Sequence, residues 1–321
     1  MEDPQPATPV GGVDYPVTFG QFQDWFSTDE ACLDYLARVR WPEGFICPKC
    51  GSIDHWRTGA GLWMCKACTR RTSVTAGTIF DRTRTPLRTW FAAIWFVTSQ
   101  KNGVSALGLQ AVLGLSSYET AWVWMHKLRR AMVLPDRELL WGTVEVDEAF
   151  IGGITRGTAG RGTNKIPVMI AAENLGKSRI GRIRLEPTPP AKLALIDFAT
   201  RVVTPGSTIK SDGAQELRRL SKLGYDHKYY TQLGSTIPAH VNLPAVHMVA
   251  SQLKRWMIGT MHYGASQEQF AYYLDEFTFR FNRRTSKSRG QLFNRLMHQA
   301  AHTAPHPLKT LVIPENDPDF S

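Results

Sequence analysis

The sequence has no long apolar run. Its longest, Trp90 to Val97, is far shorter than the ~20 residues a helix needs to cross a bilayer, so it reads as one buried helix face. The opening MEDPQPATPV lacks the basic-then-apolar pattern of a targeting signal, and a cytoplasmic protein without a membrane partner is expected. Cysteine is scarce: four of the five fall into two Cys-x-x-Cys pairs, and the odd total argues against a disulfide framework. Cys32 is left over as a small core residue. Acid is in deficit, with 28 Asp and Glu against 38 Lys and Arg, and the formal charge of +10 suits a polyanion such as nucleic acid. Charge alone leaves an ordinary basic enzyme equally open. Internal repeats and long low-complexity segments are also missing.

What is present is enough for one full core, and the 321 residues favour two or more domains. Residues 1–40 read as a Pro- and Gly-rich leader and a short helical segment, with Phe22, Trp25, Phe26, Leu33, Leu36 and Val39 at helical spacings. Residues 41–80 turn rich in Gly, Thr and Cys, with short β-type runs such as Gly61 to Met64. Residues 81–135 are strongly helical, with breaks at Lys101-Asn102-Gly103 and Leu113-Gly114-Leu115-Ser116 that make three helices the natural count. Beyond Pro135 the period changes. Thr143–Ile151, Ile166–Ala172, Ile180–Leu185 and Thr208–Ser211 read as strands, Ala191–Val202 as a helix, and two further helices fall around Ala245–Ile258 and Gln267–Arg283. This second half, residues 140–290, is one α/β domain, and residues 291–321 are a C-terminal helix and Pro-rich tail.

Cys47-x-x-Cys50 and Cys65-x-x-Cys68 are separated by 14 residues, close to the spacing at which two thiolate knuckles complete a tetrahedral Zn²⁺ site. Gly51, Gly59 and Gly61 let the intervening loop turn back. Four protein ligands leave no open position for water, so the zinc is structural and catalysis must lie elsewhere.

In the helical segment, a short helix, a turn at Gly114, a Ser N-cap and a longer helix resemble a helix-turn-helix. The second helix would present Tyr118, Trp122, His126, Lys127, Arg129 and Arg130 to DNA; a plain helical hairpin with an aromatic core is the other reading. In the α/β half, Asp147 stands in an apolar strand, a costly position unless it binds metal or a partner, and Asp212 ends a second strand just before a Gly turn. A helix-cap or turn role is equally available to Asp212 alone.

These words together resemble the bacterial insertion-sequence transposases that join an N-terminal zinc ribbon to a retroviral-integrase-type, RNase H-like DDE domain. The strongest are Glu145-Val146-Asp147-Glu148, Lys210-Ser211-Asp212-Gly213, the run Leu253 to Thr260 and the run Tyr273 to Arg284, and the likeness extends from about Trp41 to Phe293. The resemblance implies a multidomain α/β fold: an RNase H-like mixed-sheet catalytic domain preceded by the zinc ribbon and the helix-turn-helix-like segment. It implies that Asp147 and Asp212 bridge two catalytic Mg²⁺ or Mn²⁺ ions. The family's third ligand is usually Glu or Asn seven residues before a Lys; here His247 precedes Lys254 by seven, two helical turns on one face. His247 therefore takes the third position, binding a cation through a neutral nitrogen or moving a proton, with a solvent-facing helix histidine as the plain alternative. Glu276 is the rival carboxylate, unless it pairs with Arg280 four residues on. Lys254 and Arg255 are expected near the scissile phosphate, and Arg280, Arg283 and Arg284 on flanking phosphates. The implied activity is metal-dependent cleavage at element ends and strand transfer into target DNA. The implied partners are double-stranded terminal inverted repeats and target duplex, handled by a homodimer or higher synaptic oligomer. A catalytically inactive DNA-binding regulator of transposase descent is the competing reading.

Overall fold

The computed structural model describes residues 8–134, 136–152, 165–189, 193–230, 239–261 and 268–312, which form two compact units divided near Met132 and Thr285. The Pro-rich tail beyond residue 312 and the first residues of the helix expected from Ala191 lie outside the described residues.

The first unit contains helices α1 (Phe19–Trp25) and α2 (Asp29–Arg40), strands β1 (His55–Arg57), β2 (Trp63–Cys65) and β3 (Arg71–Thr72), then α3 (Leu87–Ser99), α4 (Ala106–Leu113) and α5 (Tyr118–Ala131). Local chemistry starts and stops these helices. Thr18, Thr28, Ser105 and Ser117 each accept a backbone N–H with their hydroxyl at the N-cap of α1, α2, α4 and α5. Gly114 ends α4 at φ +63°, a left-handed conformation that glycine adopts without a Cβ penalty. The three short strands pair antiparallel in the order β1-β2-β3. Phe22, Phe26, Tyr35, Phe91, Trp95 and Phe293 form an aromatic core with ring centroids about 5–6 Å apart.

The second unit is built on a five-stranded sheet in the order β6-β5-β4-β7-β8. Its strands are β4 (Thr143–Ile151), β5 (Ile166–Asn174), β6 (Ile180–Pro187), β7 (Thr208–Ser211) and β8 (Asp226–Tyr229), with α6 (Ala194–Val202) between β6 and β7 and a 3-10 helix (Gln215–Leu223) before β8. β4, β5 and β6 form an antiparallel meander, whereas β7 and β8 add to β4 in parallel, so the sheet is mixed. Helices α7 (Ala239–Asn242), α8 (Pro244–Met261) and α9 (Phe270–Asn282) follow. Period-2 alternation sorts the strands' side chains between two cores. Val144, Val146, Met169, Ala171 and Ile209 pack with α6 and Tyr225 on one face. On the other, Val168, Ile170, Ala172, Ile183 and Leu185 pack with Val246, Val249 and Leu253 of α8 and Leu274, Phe277 and Phe281 of α9. That is the RNase H-like α/β architecture expected from the sequence.

The chain then returns to the first unit. Helix α10 (Arg289–His302), capped by Ser288, packs on α2 and α3, where Tyr35 donates to Asn294 Oδ1 at 3.0 Å. A short α11 (Leu308–Val312) closes the described chain.

Candidate functional site

The two cysteine knuckles meet in the first unit. Cys47 Sγ lies 3.6 Å from Cys68 Sγ and Cys50 Sγ 3.5 Å from Cys65 Sγ, and all four sulfurs lie within 4.8 Å of one another. A tetrahedron of ~2.3 Å Zn–S bonds has edges of roughly 3.8 Å, so the four thiols fit a zinc ion. The knuckles repeat each other's backbone. Gly51 N donates to Cys47 O and Thr69 N to Cys65 O, each from a residue at positive φ. The Cys68 N–H directed at the Cys65 sulfur, helped by Cys50 and Ala67, holds that thiol down to about 6, toward the thiolate a metal needs. His55 does not join them: its Nδ1 lies 2.9 Å from Ile53 O and its ring rests on Phe45.

In the second unit the sheet brings the two aspartates together. β4 and β7 pair in parallel with Thr143 opposite Thr208 and Glu145 opposite Lys210, so Asp212, one residue past the end of β7, follows the strand that flanks β4, and its charge acts on Asp147. Glu145 and Asp147 stand directly across from Ala172 and Ile170 of β5, so both carboxylates project from the face covered by α8 and α9. Asp147 Oδ1 accepts from Glu148 N at 2.8 Å, and Asp212 Oδ1 accepts from Ala214 N at 3.0 Å; no donor among the described residues bonds the second oxygen of either. Burial, followed by the charge of Asp212, pushes the Asp147 carboxyl up to about 7. Two carboxylates with unengaged oxygens and uncompensated charge fit a hard divalent cation. An open groove of about 460 Å³ lined by Trp141, Thr143, Thr204 and Thr208 lies at the other ends of β4 and β7, away from this pair.

Helix α8 packs over β4 and β5, and it carries His247 at the margin of its buried stripe Val246, Val249, Ala250 and Leu253. His247 is half-buried and its Nε2 is shielded from solvent. Lys254 and Arg255, further along the helix, are exposed. Among the described residues the four cysteines alone bring three or more ligand atoms within 4.8 Å of one another, so Asp147, Asp212 and His247 are not drawn that close. Glu276 sits on α9, which packs chiefly on β6, two strands away from β4. It is fully buried and bound by the Arg280 guanidinium at 2.7 Å and 2.9 Å.

Residues 139–282 match the ISXO2-like transposase domain, and residues 27–71 match the transposase zinc-ribbon domain. The two matched segments are thus similar to the zinc-ribbon and DDE-type domains of IS1595-family (ISXO2-like) transposases. It is also similar to a protein of Halobacterium salinarum described as an uncharacterized protein in transposable element ISH50. That relative is 26% identical over 281 residues, covering 79% of this chain and 91% of its own length. No helix among the described residues is long and apolar enough to cross a membrane.

In such a domain the basic residues read from the sequence as DNA contacts divide by exposure. Lys254, Arg255 and Arg284 are exposed, while Lys127, Arg130, Arg280 and Arg283 are half-buried. Lys127 reaches Ile79 O at 3.5 Å, Arg283 stacks on Phe279 with its guanidinium 4.2 Å from the ring, and Arg284 donates to the carbonyls of Ile180 and Phe281. Arg129 and His126 differ from the sequence expectation. Both are buried in α5, at 3% and 0% exposure, because they fall within the face that packs Ala121, Trp124, Met125 and Leu128 inward. Trp124 stacks on Trp90 at 3.7 Å, so part of the aromatic content of α5 is core, as the plain-hairpin reading has it. Sequence reasoning gave no role to Glu145, one pleat before Asp147 on β4, or to Asn174, whose side chain bonds that of Glu145 at 2.5 Å.

Proposed function

We propose that this chain is an active DNA transposase that cuts at the ends of its element and joins the freed 3′-hydroxyl to target DNA. The observation that supports the reading is the nearness of Asp147, on β4, to Asp212, just past the end of the parallel neighbour β7, where the charge of Asp212 acts on Asp147 within a segment matching the ISXO2-like transposase domain. Asp147 and Asp212 would hold divalent cations, with His247 as third ligand; Mg²⁺ or Mn²⁺ there supplies polarisation of the scissile phosphate and a water of lowered pKa. His247 is preferred over Glu276 because α8 covers β4 and β5 whereas Glu276 is engaged by Arg280 over β6.

The chain's own groups account for the rest. The second oxygens of Asp147 and Asp212 would supply the negative charge at the site, and the partial burial of Asp147 limits the screening of its charge. Lys254 and Arg255 offset phosphate charge from the exposed side of the same helix. A structural zinc fixes the ribbon, and the ribbon with the α4–α5 pair recognises terminal inverted repeats through exposed residues such as Tyr118 and the basic side chains that reach solvent. Two ends joined in one reaction require at least a dimer.

The test is Mg²⁺- or Mn²⁺-dependent joining of pre-cut element-end DNA to a plasmid. Wild type is expected to join, and Asp147→Ala to bind the ends without joining them. Cleavage without joining by wild type would make the protein a nuclease, and binding with neither would make it a regulator.

A further inference from the structure

Helix α8 starts without a cap of its own. The residue before it is Leu243, whose side chain accepts no hydrogen bond, whereas five other helices open on a Thr or Ser hydroxyl. Pro244 at the first position has no N–H to satisfy. The N–H of His247 is bonded to Leu243 O at 3.2 Å. The orphan donors are therefore those of Ala245 and Val246. Both are taken by one oxygen from a distant strand: Glu145 Oε2 accepts from Ala245 N at 2.7 Å and from Val246 N at 3.0 Å.

Glu145 is fully buried. Its other oxygen accepts from Asn174 Nδ2 at 2.5 Å, and Asn174 Oδ1 in turn accepts from Gly176 N at 2.8 Å, which fixes the amide's orientation. Asn174 reaches this position at a register shift in β5 between Ala172 and Asn174. A carboxylate in the core would be expensive without such donors, and at the start of an 18-residue helix it also faces the positive end of the helix dipole. The arrangement joins two parts of the proposed site. Glu145 lies one pleat before Asp147 on the same face of β4, and the N–H groups it holds belong to the two residues preceding His247.

We propose that Glu145, steadied by Asn174, is a positioning residue that pins the first turn of α8 to β4 and so sets His247 relative to Asp147. The inference rests on the assignment of His247 under the proposed function. Groups that hold a metal ligand in place typically alter metal affinity by ~10–100-fold when removed.

The experiment is a Mn²⁺ titration of the full, zinc-loaded chain, read as bound Mn²⁺ and not as activity. Glu145→Ala and His247→Ala are each expected to weaken binding about tenfold, and the double variant to bind no more weakly than His247→Ala, because Glu145 acts through His247. Glu145→Gln should bind more weakly than wild type, since its amide N–H₂ faces that of Asn174; adding Asn174→Asp restores the missing acceptor and should bring affinity back to within about twofold. If Glu145→Ala does not fold, the Glu145→Gln variant with and without Asn174→Asp decides. Unchanged Mn²⁺ affinity in the Glu145 variants, or additive losses in the double variant, would overturn the inference while leaving His247 a ligand. A silent His247→Ala would instead sink the ligand assignment, and the positioning role with it.

Discussion

The cysteine ribbon and the proposed cation site of the α/β unit are built on opposite plans. In the ribbon, four soft sulfurs stand within 4.8 Å of one another, each knuckle turned by its own backbone hydrogen bonds. In the α/β unit, one hard carboxylate on β4, another just past the end of β7 and a histidine on the helix that packs over β4 and β5 are the proposed ligands, and their ligand atoms are not gathered to that degree. A structural site is closed and contributes folding energy; a catalytic site keeps positions open for water and substrate and tolerates uncompensated charge until a cation arrives. The raised pKa of Asp147 is the electrostatic mark of the second plan.

The contrast is broken most severely at the ribbon. Cys65→Ser or chelation should remove a metal contribution on the order of 10 kcal/mol, seen as loss of amide-exchange protection across residues 41–72 with the strands of residues 143–229 still protected. Next comes Asp147→Ala, expected to reduce strand joining about 10³-fold or more, at least roughly 4 kcal/mol of barrier, with element-end binding retained. Glu276→Ala removes the fully buried carboxylate that binds the half-buried Arg280 guanidinium and should destabilise the α/β unit by about 3 kcal/mol in urea melts. Glu276→Gln should leave Mn²⁺ affinity unchanged; a tenfold loss would return Glu276 to the metal site.

Smaller effects sharpen the electrostatic side. Because the folded-state pKa of Asp147 is raised to about 7, an unfolded chain releases this proton first as pH rises from roughly 4. The metal-free protein should therefore lose stability between about pH 4 and pH 7, and Asp147→Asn should flatten that slope and raise the neutral-pH Tm, at about 2–4 °C per kcal/mol gained. The smallest change is Lys254→Ala, which should lower the salt slope of DNA binding by about one. Arg129→Ala, removing a buried side chain, should lower stability and leave that slope alone.

The fold was legible where composition and period agree. Thr143–Ile151 and Thr208–Ser211 read as strands from their apolar residues, and the Ser and Gly signals around Gly114 located the break between α4 and α5. β8 was not legible, because Asp226-His227-Lys228-Tyr229 has no apolar alternation and sits at the sheet edge, where charge is common. The burial of Arg129, read from the sequence as a DNA contact, was not legible because charge was given more weight than its place beside the stripe of Ala121, Trp124, Met125 and Leu128. The role of Glu145 depends on a partner a hundred residues away. Its one local trace is the uncapped Leu243-Pro244 start of α8, which requires an acceptor from elsewhere.

The central claim is that Asp147, Asp212 and His247 serve a single cation site. It is tested most directly by loading the protein with Fe²⁺ in place of Mg²⁺ and adding ascorbate and peroxide, so that radicals made at the bound ion cut the nearby polypeptide. The account predicts cuts at the end of β4, the end of β7 and the start of α8, all lost in Asp147→Ala. Cuts clustered near Glu276, or a pattern indifferent to Asp147, would contradict it.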